Sequence, residues 1–167
     1  MAVVVADTSA LVSLAACEDI LGMLVDEYEL LVPREVVEEL EETASYDDGQ
    51  ARAAKEALEH VEGGEAEVHD TELDSSFPLD IGENAAVTLA DSEDADIFVC
   101  DEFNSIGLVH ASLSGARLVT TPKLLEVFVH EGRIQRSDAV EALDRMSELR
   151  SWENNSYVGR VREVLEE

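Results

Sequence analysis

Residues 2–6 read AVVVA, five apolar residues without a polar alternation, and Asp7 follows at once. A strand that faces water on one side alternates. An unbroken apolar run fits a strand covered on both faces, as in parallel sheets. DIFVC at 96–100 is a second run of this kind, and again an acid, Asp101, follows it. ELLV at 29–32 and ARLVT at 116–120 read as further strands, and AEVHD at 66–70 as a weaker one. Helical periodicity fills the intervals: after the Asp7-Thr8-Ser9 cap to Leu14, over 18–25, from Pro33 to about 44, over 50–61 and over 82–91. It continues over 103–113, 122–131, 138–149 and 155–166. Asp138 and Glu141 have the spacing of a capping box for the eighth of these helices. Strands alternating with helices predict a three-layer α/β/α sandwich with a mostly parallel central sheet and additional C-terminal helices. Residues 1–132 are expected to form the α/β part, and 133–167 a helical extension packed on the same domain.

Charge narrows the setting. The 167 residues hold 39 acids and 11 cations, a net of −28. Self-repulsion of that size is mostly screened only at molar salt, where the Debye length is about 3 Å. The composition resembles cytosolic proteins of salt-loving archaea, and folding is expected to need high salt. The acid is unevenly spread: residues 1–100 carry a net of −24, residues 101–167 a net of only −4. The C-terminal helices are thus the surface least hostile to an anionic partner. No apolar run approaches the ~20 residues of a membrane span, and no basic leader precedes an apolar segment. Cys17 and Cys100 sit in apolar settings and read as buried thiols. A cytoplasmic protein without membrane contact is expected.

Two acids that each end a buried parallel strand can converge, because ligands of open α/β sheets bind beyond the carboxyl ends of the strands. Each has a plainer role available, Asp7 as the cap of the helix at Ser9 and Asp101 as the cap of a helix at Phe103. Glu83 adds a third acid. It shares a helix face with Ala86, Val87 and Ala90, and a carboxylate on an apolar face is uncommon unless paired or bound. Its plainer role is the third helical position of a capping box begun by Asp80. The helix after Pro33 carries five Glu residues. Glu35, Glu38 and Glu42 point away from its apolar stripe, while Glu39 and Glu41 border the stripe on either side. Periodicity does not choose between those two.

The strings VVVADTSALVSL, VPREVVEEL, DIGENAAVTLA and DIFVCDEFNSIGLV, in that order and spacing, resemble the PIN-domain nucleases, the fold of VapC-like toxins and of many archaeal RNA-processing enzymes. The subfamily most resembled is that of predicted nucleic-acid-binding PIN proteins with a Gly-Glu helix start and a long helical C-terminus. The resemblance covers essentially the whole chain. It implies four acids around Mg²⁺ or Mn²⁺, falling on Asp7, Glu39, Glu83 and Asp101. Thr8, Ser9, Glu102 and Asn104 match the polar residues that support them. One departure is plain: relatives often carry a basic stretch after the last acid pair, and EFNSIG at 102–107 has no cation.

The implied activity is metal-dependent endonucleolytic hydrolysis of single-stranded or structured RNA, in a homodimer, with an antitoxin protein as partner if the chain is a toxin. Carboxylates suit it chemically, since hard oxygen donors select Mg²⁺ or Mn²⁺, which lower the pKa of an attacking water. The alternative is a PIN-fold module that binds RNA or a protein with weak or no catalysis. A haloacid-dehalogenase-like phosphatase ranks below both. That chemistry wants a second Asp two residues after the first, and Ser9 stands there.

Overall fold

A computed structural model describes residues 1–167, with the side chain of Glu18 left aside. Its strands are β1 (Val3–Ala6), β2 (Glu29–Pro33), β3 (Ala66–His69), β4 (Ile97–Val99) and β5 (Arg117–Val119). All pair in parallel, in the order β3-β2-β1-β4-β5. The expected mostly parallel sheet is therefore fully parallel among the described residues. Val4 lies beside Leu30 on one neighbour and Ile97 on the other, and Val5 beside Leu31 and Phe98. β1 is central and apolar on both faces, which explains why its sequence shows no alternation.

The helices are α1 (Thr8–Ala15), α2 (Glu18–Glu27), α3 (Arg34–Ala44), α4 (Gly49–Glu62), α5 (Ile81–Ser92), α6 (Ile106–Ser112), α7 (Thr121–His130), α8 (Arg136–Arg150) and α9 (Ser156–Glu166). Strand residues divide between two apolar layers. Val4, Ala6, Val32 and Val99 point into the larger core, with Leu14, Leu24, Leu40, Leu125, Phe128, Leu143 and Val161 of the surrounding helices. Val5, Leu31 and Phe98 point the other way, onto Ala86, Val87 and Leu89 of α5 and Val109 of α6. Leu143 and Met146 of α8 are fully buried in the larger core, so the C-terminal helices share it with β1. Both cysteines are buried free thiols. No helix of the described residues is long and apolar enough to cross a membrane.

Two expected helix starts move. The helix placed at Phe103 begins at Ile106. Residues 101–105 form tight turns, in which Phe103 N–H donates to the Asp101 carbonyl at 2.9 Å and Ser105 N–H to that of Glu102 at 3.0 Å. The Phe103 ring is held edge-on to Trp152, with centroids 5.4 Å apart, and this packing takes the place of a first helical turn. The helix placed at 138 starts at Arg136, with Gln135 as an N-cap that makes no side-chain bond. Asp138 therefore lies inside the first turn, and the capping box with Glu141 does not form. Arg136 donates to the carbonyls of Val164 and Leu165 near the end of α9, a long-range anchor that carries the helix start two residues upstream.

Candidate active site

The chain leaves β1 toward β2 and β3, then returns to β4 on the other side of β1. The β1/β4 boundary is thus the topological switch point, where an open parallel sheet leaves a crevice at its carboxyl edge. Asp7 and Asp101 stand at the two ends that frame it.

Asp7 caps α1. Its Oδ1 accepts the Ala10 N–H at 2.9 Å and the Ser9 hydroxyl at 2.7 Å. The same Ser9 Oγ accepts the backbone N–H of Asp101 at 2.9 Å, so one hydroxyl ties the two strand ends together. The helix-cap role expected of Asp7 is real and coexists with its place in the cluster. Burial at 2 % exposure pushes its carboxyl up to about 7, against the pull of hydrogen bonds from Cys100, Ser9 and Ala10, and the Asp101 charge adds to the rise.

Asp101 does not cap the next helix. It accepts the Thr121 N–H at 2.8 Å on Oδ1 and the Thr121 hydroxyl at 2.6 Å on Oδ2. Burial raises its pKa, and the two Thr121 bonds, Ser13 and the Arg150 charge offset part of that rise. Thr121 and Ser13 are positioning residues that the sequence did not announce. Thr121 follows β5 at the same edge of the sheet as Asp7 and Asp101, and Ser13 lies one helical turn beyond Ser9. Those positions were the only signals for either.

The helix-borne acids complete the group. Glu39 is half-buried and accepts the Thr8 hydroxyl at 3.1 Å, whereas Glu41 is exposed. The choice that periodicity left open falls to Glu39. A Cβ built on Gly82 would lie 1.7 Å from Glu39 Oε1, so the Glu39 carboxylate occupies the volume a side chain at 82 would need. Burial raises the Glu39 pKa, and the charges of Asp80, Glu102 and Glu42 raise it further.

Glu83, 7 % exposed, donates its N–H to Asp80 Oδ1 at 2.9 Å, which is one half of the expected capping box. Its carboxylate makes no return bond and instead accepts the Ser105 hydroxyl at 3.0 and 3.3 Å. Burial first, then the charges of Asp80, Glu102 and Asp7, push it up to about 7 against the Ser105 bond. Glu102 is half-buried with Arg150 Nη2 3.9 Å from its Oε1. Asn104 is exposed, without a side-chain hydrogen bond among the described residues, so the structure leaves it outside the cluster while its neighbour Ser105 enters.

The four acids come from four separate segments; the Asp101 charge raises Asp7 and the Asp7 charge raises Glu83, while Glu39 is raised by Asp80, Glu102 and Glu42 instead. Such a group of mutually repelling, desolvated carboxylates binds protons or cations. Its donors are all hard oxygens, the set that suits Mg²⁺ or Mn²⁺, and Gly82 leaves room for the one that arrives on α3. The carboxylates are turned onto protein hydroxyls and backbone N–H groups. No three Asp, Glu, His or Cys of the described residues are gathered closely enough to grip a single ion. The donor chemistry fits the ion, and side-chain rotation would be needed to close around it. A family model described as a PIN domain matches residues 3–167. No curated protein matches the chain.

Proposed function

The chain belongs to the PIN-domain family, and from that premise we propose that it is a divalent-metal-dependent ribonuclease that hydrolyses phosphodiester bonds at the β1/β4 crevice. PIN domains are generally nucleases that use divalent ions, and the reading is supported here by the buried carboxylates of Asp7, Asp101 and Glu83 along the β1/β4 crevice, with Glu39 leaning on Thr8 beside Asp7. Asp7 and Asp101 would hold Mg²⁺ or Mn²⁺ with Glu83, and Glu39 would hold the ion or its water. The bound ion supplies a water of lowered pKa and a counter-charge for the phosphate. The chain's own residues do the aiming: Ser9 fixes the spacing of the two strand ends, Thr121 sets the Asp101 carboxylate, and Thr8 steadies Glu39. One role open to it within the family is the toxin of a toxin-antitoxin pair. A short overlapping reading frame beside its gene would support that role, and an isolated gene would favour a housekeeping nuclease.

The competing reading is a PIN-fold module that binds RNA without cutting it. It draws on the cation-free turn at 102–107, which weakens phosphate capture beside Asp101. Incubating single-stranded RNA with the protein in Mn²⁺, in EDTA, and with Asp101→Asn in Mn²⁺ separates the two. Cleavage only by the wild type in Mn²⁺ is expected. Stable binding with no cleavage in any lane would establish the module instead.

A further inference from the structure

In a chain with a net charge of −28, three of the eleven cations line one groove. It runs between the edge strand β5, the first turns of α7 and the start of α9. Its walls include Arg117, Lys123, Arg160, Tyr157 and Val161, with Glu126 as the one acid. Lys123 is paired with Glu126 at 3.0 Å. Arg117 and Arg160 are exposed and form no ion pair among the described residues, whereas most arginines of this protein are neutralised by a neighbouring acid or carbonyl. Repulsion from the rest of the surface makes two free guanidinium groups in one groove the place where an anion is least disfavoured.

Side-chain contacts tie one wall of the groove to Asp101. The Arg160 guanidinium carbon lies 6.0 Å from the centroid of the half-exposed Tyr157 ring. The Tyr157 hydroxyl accepts the Thr120 hydroxyl at 3.1 Å, and the next residue, Thr121, holds Asp101. The Tyr157 ring also packs on Phe103, with centroids 5.6 Å apart, two residues past Asp101. Backbone phosphates beside Arg117 and Arg160 would therefore continue past an aromatic face toward the acids. An aromatic face beside cations suits unpaired bases, since a base within a duplex offers no free face to stack.

We propose that this groove carries the phosphate backbone of single-stranded RNA, with Arg117 and Arg160 as phosphate contacts and Tyr157 as the stacking surface. The proposal rests on the nuclease reading for its direction, yet its test is independent of cleavage. Fluorescence anisotropy of a short labelled RNA, in EDTA and across a KCl series within the range where circular dichroism shows the native fold, compares the wild type with R117Q/R160Q and with R52Q. Arg52 is an exposed cation on α4, outside the groove, that controls for loss of a positive charge elsewhere on the surface. The double variant is expected to keep its melting temperature and bind at least tenfold more weakly at the lowest salt. Its salt slope should fall by about 1.4, at ~0.7 per lost phosphate contact on a single strand.

Unchanged affinity in R117Q/R160Q, an equal loss in R52Q, or no RNA binding by the wild type would overturn the groove. So would a shift from dimer to monomer in the double variant with RNA affinity intact, which would make this face a contact between copies of the chain. RNA cleavage by a wild type whose double variant binds equally well would sink the groove and leave the nuclease standing. A tenfold loss in the double variant of a protein that cuts nothing would keep the groove and sink the nuclease.

Discussion

Asp7 and Asp101 follow two neighbouring strands, and each accepts at least two hydrogen bonds, one of them from a backbone N–H. Glu39 and Glu83 ride on helices, and each carboxylate leans on one hydroxyl, Thr8 or Ser105. The strand side of the crevice is set by the sheet itself. The helix side is set by how well α3 and α5 fit against each other. Loss of a strand-side acid removes a fixed donor, whereas the helix side can be disabled from a distance, through the contact that lets its carboxylate arrive.

The strongest break falls on the strand side. Asp101→Asn is expected to cut metal-dependent RNA cleavage by at least a hundredfold, about 2.7 kcal/mol of barrier, and to remove Mn²⁺ binding in calorimetry. Equal Mn²⁺ uptake by variant and wild type would take Asp101 out of the site. On the helix side, Glu39→Gln is expected to cost on the order of a hundredfold in rate, while Glu38→Gln leaves the rate alone and shifts stability by no more than about 0.5 kcal/mol. Gly82→Ala should reproduce most of the Glu39→Gln defect without touching a carboxylate. In the Glu39→Gln background it should add little, because both changes act on one contact. Fully additive losses would show that Gly82 acts through something other than Glu39.

Acidity tests both sides together. Burial raises Asp7 from 3.8 and Glu83 from 4.5 to about 7, so between those limits the folded chain holds more protons than the unfolded one. Their contribution to the stability of the metal-stripped protein is therefore full below about pH 4 and lost as the pH rises through 7. Thermal melts in EDTA are expected to show a gain on the order of 5 kcal/mol between pH 8 and pH 5 that Asp7→Asn with Glu83→Gln flattens. A double variant with the wild-type slope would refute that origin. The smallest effect belongs to Thr8→Val, which removes the hydroxyl that steadies Glu39. A few-fold fall in rate and about 1 kcal/mol in stability are expected from kinetics and melts.

The strand side was also the side the sequence revealed. Asp7 and Asp101 follow unbroken apolar runs, and a buried parallel strand puts whatever follows it at the carboxyl edge. Periodicity narrows the α3 acid to a pair and no further, and only the family resemblance picks Glu39 from it. Glu39 and Glu41 both border the stripe of α3, and what separates them is Gly82, a contact that exists only after α3 and α5 pack. Thr121 and Ser105 were invisible for a similar reason, since a hydroxyl acquires meaning from its tertiary partner. Asn104 shows the converse, a matched position whose side chain the turn sends to solvent. The Asp138 capping box failed because its spacing is a local signal and the Arg136 anchor to α9 is not.

The grip of Thr121 on Asp101 has a consequence in time. During synthesis all four acids have been made by residue 101, but the residue that aims the last of them belongs to α7, and the core that seats α7 is finished by Leu143, Met146, Val158 and Val161. A growing chain therefore carries the whole acid set before it owns the means to align it. On the ribonuclease reading proposed above, that order would leave the site unaligned until the final helices emerge.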